Sequence, residues 1–194
     1  TGAALTITAS DQTAYSFSVS ATDTRGNRSA TSTKTATAFL MPVVLSEVAW
    51  AGTEASGADE WVELYNRTGE TLTLTHWTLL SDDLSPYLSL SGTLSPHSYY
   101  LIEHKGAGET TETTQSSVPD VTANVWSSFG AGGVGNLDGG GENLTLAFKA
   151  TGRATTTIDS VPKCGNAWCA GDDTVYKSME RYDSAVAGNS SSNW

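Results

Sequence analysis

The chain has 194 residues with a net charge of −11 and only ten Lys and Arg, scattered along it. That balance argues against nonspecific binding to nucleic acid or to an anionic membrane surface, both of which need clustered cations. The length is enough to bury a real core in one large or two small domains. Apolar runs are too short to span a bilayer and none keeps helical spacing, so an all-β chain is expected.

LTITA (5–9) alternates briefly, and AYSFSVSATD (14–23) alternates strictly. Tyr15, Phe17 and Val19 share one face, with serines on the other, which predicts a half-buried strand. TRGNRS (24–29) reads as a turn, and TSTKTATAF (31–39) as a weaker polar strand. YSFSVSATDTRGNRSATS resembles the closing strands of a fibronectin type III or bacterial Ig-like repeat. Residues 1–38 are expected to be a partial unit of that kind, well short of a whole repeat. Its apolar face would then be covered by strands preceding Thr1 or supplied by another chain through strand addition. The alternative is that these strands extend the sheets of the following domain. Strand-like sequence begins almost at Thr1, so the chain reads as a portion of a longer or processed protein.

Residues 39–42 read as a linker into a second domain over 43–194. VVLSEVAW, EWVELYN, TLTLTHWTLLSDD, YLSLSG and YYLIEHK read as strands. ENLTLAFKATG and RATTTIDSVPK read as a hairpin turning at Thr151-Gly152, and TVYKSMERYD as the last strand. In DEWVELYN, period two puts Val62 and Leu64 on one face and Trp61, Glu63 and Tyr65 on the other. Residues 106–141 form a long Gly-rich excursion with aromatic anchors, of the kind that is uncommon unless functional or mobile.

SEVAWAG, DEWVELYN, HWTL, SPHSYYLIE, GENLTLAFKATG with IDSV, and SMERYD with a closing NW occur in one order from Val43 to Trp194. This series resembles the bacterial branch of the lamin-tail domain family. The resemblance implies an Ig-like β-sandwich and an interaction module, with no shared catalytic residues to carry over. The coiled-coil heptads of a lamin rod are missing from this stretch, so an intermediate filament is not implied.

The candidate sites are few. Glu63, a charge in an aromatic frame, needs a partner if buried, and Arg181 of SMER is the candidate for a structural ion pair. Cys164 and Cys169 are one pair without nearby His, too few for a thiolate metal site; a local disulfide is expected, against a pair of free thiols. Trp126, Phe129 and Trp168 are possible ligand contacts, stacking on sugars or partners if exposed, and core caps otherwise. Tyr15, Phe17 and Val19 are the possible self-assembly face.

No cofactor is expected. Calcium is the one metal left open, through the acidic pairs Asp82-Asp83 and Asp172-Asp173 and the acids of 54–59, without EF-hand spacing. His76, His97 and His104 lie in separate segments with no partner indicated, and read as edge and turn residues. GAGGVGNLDGGG lacks the flanking strand and helix of a phosphate loop. The N-x-S/T triplets at Asn66 and Asn143 are not read as glycosylated.

The expected function is a non-catalytic, secreted or cell-surface structural or adhesive module acting through protein partners or itself, as far as a filament built by strand complementation. The alternative is a glycan- or cell-wall-binding accessory module of a secreted enzyme. A catalytic hydrolase ranks last, for want of an acid–base pair.

Overall fold

The computed structural model describes residues 7–54, 56–105, 124–129 and 137–194. The chain divides into two compact units, Thr1–Met41 and Pro42–Trp194. Among the described residues the only helix is a single 3-10 turn, Ser191–Asn193, and no helix is long and apolar enough to cross a membrane.

In the first unit β1 (Thr13–Val19) pairs antiparallel with β2 (Ser32–Ala38), from Thr13↔Ala38 to Val19↔Ser32. The alternation has a direct consequence. Ser16 and Ser18 meet Thr35 and Thr33 through hydroxyl hydrogen bonds of 2.9 Å on the polar face. On the other face Tyr15, Phe17 and Val19 oppose Ala36, Lys34 and Ser32, so β2 adds little apolar cover. The turn is held by Asp23, whose carboxylate accepts from the Arg25 and Asn27 amides and the Asn27 side chain, while Gly26 takes a φ of 86°. Of the expected 5–9 strand, residues 5 and 6 lie outside the described residues and 7–9 are not in a strand.

The second unit is a β-sandwich. Its first sheet holds β3 (Val43–Ala49), β4 (Trp61–Asn66), β9 (Tyr99–His104), β10 (Val125–Ser127) and β13 (Met179–Glu180), in the order β10-β9-β4-β3-β13. The second holds β6 (Trp77–Ser81), β7 (Tyr87–Ser89), β11 (Leu144–Phe148) and β12 (Thr156–Val161), in the order β12-β11-β6-β7. A small pair, β5 (Leu72–Thr73) with β8 (Thr93–Leu94), stands beside them.

Period-two burial builds the core. Val62 and Leu64 of β4, Tyr100 and Ile102 of β9, Trp77 and Leu79 of β6, and Leu144 and Leu146 of β11 all point between the sheets. Each fully buried Val or Leu side chain contributes about 1.5–3 kcal/mol by leaving water. Trp61, Glu63 and Tyr65 stay half-buried on the outer face, as the alternation predicts. A bulge between Leu45 and Glu47 in β3 lets Leu45 face inward while Glu47 turns outward opposite Glu63.

The expected hairpin turn holds, and several other expected boundaries shift. The hairpin β11–β12 turns at Gly152 with a φ of 71°. The last expected strand shrinks to Met179–Glu180, because residues 172–177 close a turn between Asp172 and Lys177. His76, expected inside the HWTL strand, sits just before it with a φ of 75°. In the excursion, residues 106–123 and 130–136 lie outside the described ones, while β10 returns parallel to β9 with Trp126 opposite Glu103.

The end of the excursion is fixed backbone to backbone. Gly141 has a φ of 77°, and a Cβ there would lie 2.2 Å from the Ala167 carbonyl carbon. A Gly141→Ala chain is expected to lose about 3 kcal/mol through backbone strain and overlap. Gly139→Ala, with open space around it, is expected to be near neutral. Paired urea melts of the two chains check this, and equal midpoints would refute it.

Candidate functional site

The charges in the two apolar motifs do not meet as expected. Arg181 pairs with Asp159 of β12 rather than with Glu63, and both partners are buried. Asp159 Oδ2 also accepts the Leu45 amide at 2.9 Å, and Oδ1 accepts the Gly188 amide at 3.1 Å. Arg181 donates further to the carbonyls of Leu45, Asp183 and Val186. Its guanidinium carbon lies 5.9 Å from the Trp194 ring centroid. The physical reason is the face on which each side chain lies. Glu63 points out of the sandwich and accepts the Ser46 hydroxyl at 2.9 Å, whereas Asp159 points in at the seam between β3 and β12.

On the outer face of the first sheet lies a groove of about 490 Å³, lined among others by Glu47, Glu63, Tyr65, Tyr99, Glu180 and Tyr182. Glu180 is opposite Glu47, and Glu47 is opposite Glu63, so three carboxyls stand in one row across β13, β3 and β4. Tyr65 is opposite Tyr99, with ring centroids 4.9 Å apart. Burial raises the Glu47 carboxyl above its usual range and Glu180 adds to the rise, against a hydrogen bond from Ser178. Burial does the same to Glu63, with the charges of Glu47 and Glu180 adding and the Ser46 hydroxyl opposing.

A family model, that of the lamin tail domain, matches residues 36–163 of the chain. The chain belongs to the lamin tail domain family. A search of curated proteins finds no match. The lamin-tail fold is an Ig-like sandwich and is consistent with a protein-interaction module. The matched span stops before SMER, yet Arg181 reaches back to Asp159 inside it.

The expected aromatic contacts do not form an exposed row on the lamin-tail unit. Phe129 is fully buried, with its ring 4.9 Å from that of His104. Trp168 is buried, donates to the Asp138 carbonyl at 2.8 Å and stacks on Trp50 at 6.2 Å. Both belong to the hydrophobic core, the alternative left open for them by the sequence. Trp126 is half-buried with the Lys105 ammonium 4.6 Å from its ring centre. Cys164 and Cys169 form a disulfide, with Cα atoms 5.0 Å apart, and thereby close the loop that carries Trp168.

Two further acids, Glu60 and Glu142, meet the backbone at Leu137 and Asp138. Glu60 is pushed up to about 8 by burial, with the charge of Glu142 adding and the Leu137 amide opposing. Glu142 is pushed up to about 7 by burial, with Asp83 and Asp138 adding, while amide and hydroxyl donors oppose. The Leu137 amide donates to Glu60 and the Asp138 amide to Glu142, each at 2.9 Å. His104 Nδ1 lies 3.0 Å from the Ala58 carbonyl, so that nitrogen carries the proton.

Among the described residues, no three His, Cys, Asp or Glu side chains converge to hold a metal. Local hydrogen bonds, from Ser81 and Thr174 respectively, hold the Asp83 and Asp172 carboxyls low. Asn66 is fully buried, its side chain bonded to the carbonyls of Glu70, Leu94 and Ser95, so a glycan has no access to it.

Proposed function

We propose that the chain is a non-catalytic, extracellular or cell-surface module that works through protein–protein contacts, the hairpin of its first unit making them. The observation behind this reading is the hairpin's apolar face. Val19 is 69% exposed and Phe17 39%, with Ala36, Lys34 and Ser32 opposite. An isolated two-stranded hairpin is marginal in water and its edges are templates for another strand. Strand addition from a second copy would extend the sheet at its open edge, and the rest of that copy would pack against the apolar face. Head-to-tail contacts of that kind build a filament when their rotation does not close into a ring. The disulfide favours an oxidising compartment.

Solution mass by light scattering over a concentration series, with negative-stain images of the same samples, tests the reading. Mass is expected to grow with concentration and to return to the monomer when residues 1–38 are deleted. The lamin-tail unit keeps its whole core in that deletion, since every core residue lies at Val43 or beyond. A monomer at all concentrations would refute self-assembly.

A further inference from the structure

We propose that the outer face of the five-stranded sheet is a docking surface for an arginine side chain presented by a partner protein. The inference stands on the lamin-tail unit alone and does not need the hairpin.

Cross-strand register is its first support. Glu180, Glu47 and Glu63 occupy directly opposed positions on three neighbouring strands. Like charges in such positions repel and cost stability, a cost that an external cation would relieve. The groove offers them no neutralising partner. Among the described residues lining it the one basic side chain is Arg181. Its guanidinium is engaged by Asp159 and the carbonyls of Leu45, Asp183 and Val186. Glu47 and Glu63 each accept one serine hydroxyl, from Ser178 and Ser46, which fixes their direction. A carboxylate has room for more donors than one.

The second support is aromatic. Tyr65 and Tyr99 stack beside the acidic row, tilted by 39°, and Tyr182 stands 92% exposed at the same groove. Ring faces attract cations. Carboxylates beside stacked rings suit a planar guanidinium, which forks onto a carboxylate while it lies on a ring; an ammonium does only the first as a point charge. The net charge of −11 steers a basic partner toward the whole molecule.

The test uses the full chain and an acetylated, amidated five-residue peptide with arginines at its second and fourth positions. Its counterpart with citrulline replaces each charge with a neutral group of the same shape. Amide chemical shifts followed by NMR are expected to move saturably at Glu47, Glu63, Tyr65 and Tyr99 with the arginine peptide. Binding is expected to weaken at least tenfold with citrulline, and likewise in the Glu47→Gln/Glu63→Gln chain. That chain loses a like-charge contact, so it is expected to fold at least as well. Equal binding of the two peptides, unchanged binding by the double variant, or no saturable shift would each overturn the proposal. Deleting residues 1–38 is expected to leave arginine binding intact, so failure here and failure of hairpin assembly read out separately.

Discussion

Replacing Asp159 with alanine is expected to cost the lamin-tail unit about 3–5 kcal/mol, the range for removing one partner of a buried ion pair. The pair is buried, with Asp159 4% and Arg181 8% exposed. Asp159 ties three segments at once: the Leu45 amide of β3, the Gly188 amide of the C-terminal tail, and Arg181 after β13. Alanine would leave a guanidinium and two amides without their acceptor inside the protein. The double change Asp159→Leu with Arg181→Met is expected to cost less than either single loss, because it buries no orphaned charge. Glu63→Gln, at the position first expected to hold Arg181, is expected to change stability by less than about 0.5 kcal/mol, as an outer-face substitution. Urea melts followed by Trp fluorescence check all of these. An Asp159→Ala loss under about 1 kcal/mol would show that the pair does not hold the sandwich together.

That contrast also marks how far the sequence could be read. The two faces of DEWVELYN and the hairpin through Gly152 follow from local periodicity and turn chemistry, and the structure carries both. The lamin-tail resemblance rested on motif order, and a family model matches it over residues 36–163. Asp159 was invisible because a lone acid in TTIDSV looks like a solvent-facing position. It is buried by contacts with Leu45 and Arg181, which lie 114 and 22 residues away. The acidic row was invisible for a related reason. Glu47, Glu63 and Glu180 align only through pairings among β3, β4 and β13, and one bulge near Ser46 decides which way Glu47 faces. A shift of one residue would flip the row inward. Trp168 lay in CGNAWC, a loop by composition, and its burial depends on the excursion end at Gly141 closing over Ala167. Local pattern gives strands and faces; register and loop closure give sites.

Raising the pH from about 5 to about 9 is expected to destabilise the lamin-tail unit through Glu60 and Glu142. In the folded chain their carboxyls hold protons up to about 8 and about 7, whereas the ordinary value is 4.5. Between these limits the folded state binds more protons than the unfolded one, so stability falls as pH rises. The slope is at most about 1.4 kcal/mol per pH unit for each group, and the total over this window is on the order of several kcal/mol. The stabilising contribution of the protonated pair is fully present below the ordinary carboxylate value and is lost as pH climbs through about 7 to 8. Burial sets the direction, and the facing groups do not reverse it. His104 Nδ1 is 3.5 Å from Glu60, nearer to the Ala58 carbonyl at 3.0 Å, while Asp83 and Asp138 add negative charge around Glu142. The Leu137 and Asp138 amides favour the ionised carboxylates but do not offset burial and the surrounding negative charge, so ionisation costs the folded state stability. Glu60→Gln with Glu142→Gln keeps a neutral acceptor for each amide and removes the titration. Its urea midpoint is expected to stay nearly flat over the window in which the parent chain falls. Parallel pH profiles for the two chains would show that these acids do not set the stability of the sandwich.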